Sequence, residues 1–303
     1  MAQPGRMSSP PVPLKAWLML GLLSLLWGGS FLFIGLAVRE VPPLTVVWIR
    51  ISIGAAALGM ALWLTNEPLP RAQAAWRDMA VIAVLLCALP FCLIVWAQTH
   101  ITAGLASILN ATTPLWGAVA AHFLTRDDNL TPMRAAALGA GFLGVVVLMG
   151  WPQGAATLAI LACLGAALSY GLAGVYARRL RRHGLKPLVA ATMQLGLAAT
   201  ILLPVMLVVD RPWLLPVPSR TAALSLLALA LLSTGLAYLV YFRIVALAGM
   251  SNALLVTFLV PPSAILLAWL GLGEALMLRQ LLGMLLIGGG LVLLDGRWRR
   301  RRS

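Results

Sequence analysis

Ten apolar stretches, each close to 20 residues long and nearly free of charge, fill the chain from Leu14 to Asp295. A helix of about 20 apolar residues crosses a hydrocarbon layer of about 30 Å, and only helices or closed barrels satisfy their backbone there without water. The pattern therefore predicts an all-α integral membrane protein of ten transmembrane helices. The approximate spans are 14–38, 43–65, 79–99, 102–124, 131–150, 154–177, 187–209, 221–243, 250–273 and 277–295.

With 61% apolar and 10% charged residues in a chain of 303, the spans leave no room for a sizeable soluble domain. The formal net charge of +14 invites a nucleic-acid reading, but its placement argues for a membrane topology signal instead. With the N-terminus inside, only Arg39, Arg211, Arg220 and Arg279 fall on the outer side. Arg50 lies within span two, and every other Lys and Arg falls inside. Both termini are thus expected in the cytoplasm, with no nucleic acid as partner. The run from Leu14 to Val38 is too long and continuous for a cleaved signal peptide and reads as the first span. Residues 1–13 are polar and Pro-rich and are expected to be a disordered cytoplasmic segment, and 297–303 a basic cytoplasmic tail. Cys87, Cys92 and Cys163 lack metal-ligand spacing and read as small packing residues; no metal or cofactor is expected.

The two halves, 14–150 and 151–296, repeat. Leu26-Trp27-Gly28 aligns with Ser169-Tyr170-Gly171, Pro43-Leu44 with Pro187-Leu188, Ala103-Gly104 with Ala248-Gly249, and Pro114 with Pro261-Pro262. Each unit holds five spans, an odd number, so the second must lie inverted, as in many secondary transporters. Together with Leu272-Gly273-Glu274 and the Gly-rich last span, these motifs make the chain resemble the EamA-type branch of the drug/metabolite transporter superfamily, over essentially its whole length. Within that branch it is most similar to the YddG-type bacterial amino-acid exporters. The resemblance implies two inverted five-helix EamA repeats in a multi-pass protein of the bacterial inner membrane. It also implies export of amino acids, aromatic and other neutral ones included, by alternating access through a central cavity. Its partners would be a small-molecule substrate and the lipid bilayer; the small-residue patches Ala140-Gly141…Gly144 and Gly288-Gly289-Gly290 fit close packing within a monomer or a dimer seam. The first repeat carries Arg126-Asp127-Asp128 where the second has Glu274, at a helix end in either case.

Few residues at bilayer depth can carry such a function. Arg50 costs a few kcal/mol or more inside a membrane. It either snorkels or pairs with a carbonyl, or it offers its planar fork of donors to a substrate carboxylate. Its repeat partner is Gln194, and Gln98 and Arg243 occupy matching positions on spans three and eight, which suggests a cavity-facing row. Pro114 displaces the carbonyl of Asn110, and Pro261 and Pro262 those of Thr257 and Phe258. These prolines are expected as hinges, with Asn110, Thr113, Asn252 and Thr257 around them either as interhelical glue or as cavity lining. Trp27 and Ser30 in span one, Trp96, Tyr170, Tyr238 and Tyr241 complete the candidate lining. Their rings serve as packing or, facing a cavity, as stacking and cation–π surfaces.

All eight acidic residues fall in loops or at span ends, so a proton-exchanging glutamate within span one is absent. That weakens a lipophilic-cation exporter, and the single deep arginine weakens a carrier of phosphorylated anions. Export of other small metabolites such as nucleobases, or a passive channel, stays open. No His/Asp cluster at an interface supports a membrane enzyme. The charge asymmetry gives a direct test. Reporter fusions at Ser303 and in the Lys186 loop should be active with a cytoplasmic reporter, and a fusion in the Arg211–Arg220 loop with an exported one; the reverse pattern would overturn the topology.

Overall fold

The computed structural model describes residues 13–125, 131–149, 154–275 and 277–295. Asp127, Asp128, the N-terminal segment before Pro13 and the arginine tail lie outside them. Helices account for nearly all of the described chain, and no strand occurs among these residues.

In the first half, α1 (Leu14–Ala37) and α2 (Pro43–Leu64) are followed by α3 (Gln73–Ala83), a π-helical segment Val84–Ala88, and α4 (Leu89–Ala97), which form one continuous rod. Then come α5 (Ala103–Asn110), α6 (Thr113–Leu124) and α7 (Pro132–Met149). The second half repeats the order: α8 (Ala155–Leu180), α9 (Pro187–Asp210), α10 (Arg220–Ala230), a π-helical segment Leu231–Leu236 and α11 (Ala237–Ala248). It ends with α12 (Met250–Ala253), α13 (Val256–Leu272) and α14 (Leu278–Asp295). Proline at the first turn starts α2 and α9, where its missing N–H is no loss, and Thr102 and Ser219 cap α5 and α10.

Six helices are long and apolar enough to cross a membrane alone: Leu14–Ala37, Pro43–Leu64, Gln73–Ala97, Ala155–His183, Pro187–Asp210 and Arg220–Ala248. Ala135–Leu148, Val256–Leu272 and Leu278–Leu293 are apolar but shorter. Two of the expected spans, those with the expected proline hinges, are interrupted. Span four is divided between α5 and α6 at Ala111–Thr112, and span nine is divided at Leu254–Leu255. The first break lies just before Pro114, which stands in the opening turn of α6. The second falls ahead of Pro261 and Pro262, which stay inside α13. Span three also begins six residues earlier than expected, at Gln73.

Equivalent helices of the two halves pack antiparallel. Asp210, ending α9, accepts from Thr45 N (2.7 Å) and Oγ1 (2.8 Å) at the start of α2, while Lys186, before α9, reaches Glu67 beyond the end of α2 at 2.5 Å. Between α7 and α14, a Cβ on Gly144 would meet the Ile287 amide nitrogen, and one on Gly290 would meet Gly141. Glycine is therefore what lets these backbones touch. The remaining neighbours obey the same two-fold relation: α1 packs on α13 as α8 packs on α6, and α1 on α10 as α8 on α3.

The two ends of the bundle are fastened differently. At the Arg39 end, carboxylates cap helix starts: Asp210 on α2, Glu274 on Ala103 N (2.8 Å) and Gly104 N (3.0 Å), and Glu40 on Ser219 N (2.7 Å) and Oγ (2.6 Å). The Ser219 hydroxyl and amide hold Glu40 below its ordinary pKa, since both bonds favour the charged form. At the other end, Asp78 gathers Tyr176 (2.9 Å), Arg182 (2.7 Å) and His183 (2.8 Å).

Gly28 and Gly171, the equivalent glycines behind Trp27 and Tyr170, bring α1 and α8 against α13 and α6. A Cβ would lie 2.8 Å from Ala264 N in the first case and 2.7 Å from Gly117 N in the second. Gly171→Ala should therefore destabilise by about 1–3 kcal/mol through overpacking against backbone. Gly174→Ala, one helical turn on and facing open space, should be neutral or stabilising. Thermal unfolding in detergent reads the difference, and equal midpoints would contradict the close approach.

Candidate functional site

The site is built around a buried guanidinium. Arg50 on α2 is 7% exposed. Its Nε donates to Thr234 Oγ1 at 3.0 Å, and its Cζ stands 3.9 Å above the Phe91 ring. That distance is well inside cation–π range. No carboxylate pairs with Arg50 among the described residues, and its terminal nitrogens have no protein partner there. A charge this deep without a counter-ion is unusual, because one-sided burial of an ion is costly.

The π-helical segments explain how the layer assembles. Thr234 sits in the wide turn Leu231–Leu236 and donates its own proton to Leu229 O at 3.0 Å, which leaves its oxygen free to accept from Arg50. Cys87 comes from the equivalent wide turn Val84–Ala88 and is buried there. Pro90 removes an amide just after that first turn, and Ser169 of α8 donates to Leu85 O at 2.7 Å beside it. Wide turns of this type recur at functional sites because they re-aim side chains within a helix. The turn of the second half stands against Arg50 on α2, and that of the first half packs on α9, the helix of Gln194.

Several sequence-predicted residues converge here. Gln194 Nε2 donates to Tyr238 Oη at 2.6 Å. Tyr170 and Tyr238 both lie within electrostatic range of Arg50, and Tyr170 packs against both large apolar clusters of the bundle. Rings then continue from this point: Tyr238 to Phe242 (5.8 Å between centroids), Phe242 to Tyr241 (5.9 Å), and Tyr241 to Trp27 (5.7 Å). Arg50, Gln194, Tyr170, Tyr238, Tyr241 and Trp27 thus form one layer.

Other candidates stand elsewhere. Ser30 is buried and donates to Trp27 O in its own helix (2.6 Å). Thr113 donates to Asn110 O (2.7 Å), so the carbonyl displaced by Pro114 is satisfied by a side chain three residues on. Asn110 Oδ1 is buried without a partner. Asn252 donates to Ala248 O (2.8 Å), and half-buried Thr257 donates to Leu254 O (2.7 Å). Trp96 is 36% exposed and stacks on His100 at 4.8 Å.

The expected row of Gln98 with Arg243 is corrected. Gln98 ends α4 at the Arg39 end of the bundle. Arg243 is exposed on α11, whose rod starts at that end with Ser219 on Glu40 and so finishes at the other. Inversion of the repeat separates what sequence alignment places side by side. Within the layer, Phe91 covers Arg50 and Gln194 is closed on Tyr238. The large cavity, about 620 Å³, lies at the Arg39 end and is lined by Gln98 but not by Arg50.

Phe91, Thr234 and Cys87 are site residues that sequence reasoning missed in this role. Pro90 in an otherwise helical run was the available signal for the first wide turn. The second carries only Thr234-Gly235, an ordinary pair in a membrane helix.

Comparison with known proteins agrees with this architecture. The chain is 26% identical over 294 residues to the uncharacterized transporter YoaV of Bacillus subtilis (strain 168), covering 94% of this chain and 98% of that one. It is 29% identical over 285 residues to the uncharacterized transporter YdfC of the same organism, covering 90% and 87%. A solved crystal structure, 20% identical, superposes with a TM-score of 0.65 over 92% of this chain and 97% of the other, and shares its fold. The profile of the EamA-like transporter family matches residues 14–150 and again 157–294. With one repeat unit in each half and relatives that are membrane transporters along the full length, the chain belongs to the EamA-like transporter family of the drug/metabolite transporter superfamily and is a multi-pass membrane transporter of small molecules.

Proposed function

We propose that the protein is a secondary transporter of the bacterial inner membrane that exports amino acids, aromatic and other neutral ones included, by alternating access. It would cross the membrane ten times, with both termini in the cytoplasm. The observation that carries this reading is Arg50: a buried guanidinium with free terminal nitrogens, no carboxylate partner among the described residues, and aromatic rings around it. A carboxylate is the group whose geometry such a fork fits.

In this reading the substrate carboxylate meets the Arg50 terminal nitrogens, while Thr234 holds Nε and so fixes the plane of the fork. Phe91 occupies the face of the guanidinium in the closed layer and swings aside as substrate enters. The ammonium group is received by ring faces and hydroxyls of Tyr170 and Tyr238, since no buried carboxylate is at hand. The ring series from Tyr238 to Trp27 favours a planar or apolar side chain, which suits neutral and aromatic amino acids. The breaks at Ala111–Thr112 and Leu254–Leu255, with Pro114, Pro261 and Pro262 close by, serve as the bending points of the two halves. Lipophilic cations would be repelled by the same arginine.

Counterflow in proteoliposomes tests this. Vesicles loaded with unlabelled L-phenylalanine should accumulate labelled L-phenylalanine from outside, faster than empty vesicles do. Arg50→Ala should reduce exchange by about tenfold or more, the scale of a lost charge-assisted hydrogen bond, and Thr234→Val by less. Flux that never saturates would instead identify a channel, and absence of exchange with every amino acid would remove the substrate class.

A further inference from the structure

The cavity at the Arg39 end is separate from the Arg50 layer. It forms where the ends of α1, α4 and α13 meet the starts of α5, α8 and α14. Its volume of about 620 Å³ lies within the range of about 300–1,000 Å³ common for small-molecule sites.

Its electrostatics are unbalanced. Arg39, just past α1, and Arg279, in the first turn of α14, both line it, and neither has a hydrogen bond or ion pair among the described residues. The carboxylate in the wall, Glu274, is committed with both oxygens to the amides of Ala103 and Gly104, where its charge is offset by the start of α5. The field in the cavity is therefore positive.

Gln98 supplies the second observation. It lines the cavity, is 8% exposed, and neither its Nε2 nor its Oε1 has a partner. A buried amide left unpaired at both atoms costs about 1–3 kcal/mol per group; both atoms are closed off behind the cavity wall, so a change of rotamer is what would bring them to a ligand. Ordinary packing would favour a leucine at this position.

We propose that this vestibule is a second binding site, for a small organic carboxylate, with Arg39 and Arg279 receiving the carboxylate and Gln98 turning its amide from behind the wall to meet a polar group of the ligand. The site stands independently of substrate selection at Arg50. In the orientation with the N-terminus inside, it faces the outside of the cell.

The test reads occupancy without transport. In full-length protein carrying Cys87→Ala, Cys92→Ala and Cys163→Ala, a Thr99→Cys reporter in the cavity wall is labelled by a membrane-impermeant maleimide. Benzoate and its neutral amide, benzamide, serve as probes. Benzoate should slow labelling by about threefold or more once its concentration exceeds twice Kd, and benzamide should leave the rate unchanged. Arg39→Gln and Arg279→Gln should each abolish most of the protection, and Arg39→Lys should restore part of it. Protection must persist in Arg50→Ala, which separates this site from the inner layer. Each variant is compared with its own ligand-free rate, so a general change in folding does not mimic the effect. Equal protection by both probes, no protection by either, or protection that survives loss of both arginines but vanishes in Arg50→Ala would overturn the proposal.

Discussion

A backbone amide at bilayer depth has no water to turn to, and this single constraint governs the bundle. It makes nearly every residue helical, and it also governs the exceptions. Where helices break or widen, nearby hydroxyls donate to backbone carbonyls: Thr113 to Asn110, Thr112 to Leu109, Thr234 to Leu229, Ser263 to Leu259 and Ser169 to Leu85. The irregular backbone is tolerated because side chains satisfy it, and it concentrates where α4, α11, α5 and α13 approach the centre.

The two-fold relation between the halves is close in backbone and loose in chemistry. Gly28 and Gly171 make equivalent approaches, and α2 and α9 are clamped at both ends by Asp210 on Thr45 and Lys186 on Glu67. Yet the position of Arg50 on α2 is held on α9 by the neutral Gln194, so among the described residues the layer carries one charge. Symmetry delivers two equivalent frames for bending; its violation at one position delivers a site with polarity. The same division appears at the ends, where carboxylates cap helix starts on one side and Asp78 gathers basic partners on the other.

Much of this was legible in the chain. Long apolar runs define the helices, the recurrence of Trp27-Gly28 as Tyr170-Gly171 defines the repeat, and Arg50 marks itself by its depth. Pairing of Gln194 with Tyr238 follows from neither residue alone, but both were recognisable as polar groups out of place. What could not be read was register. A π-helical turn has no clear composition, so the arrival of Thr234 and Cys87 beside Arg50 had no sequence signal. Alignment of repeats likewise put Gln98 with Arg243, because a linear comparison cannot show that inversion sends equivalents to opposite ends. Phe91, an ordinary ring in an apolar run, gains meaning only from standing over a cation.

The wide turn at Leu231–Leu236 also governs how this family member can vary. Removing one residue there would let the rod relax into ordinary α-helix, with no break in the chain and little change in hydropathy. Residues beyond it would keep nearly their present faces, because the wide turn holds one residue more than the α turn that would replace it, so Tyr238 and Tyr241 would still point toward Arg50 and Trp27 while the Thr234 hydroxyl lost its place between Leu229 and Arg50. A single-codon deletion would thus unlatch the guanidinium while leaving the rings and an intact, inserted bundle.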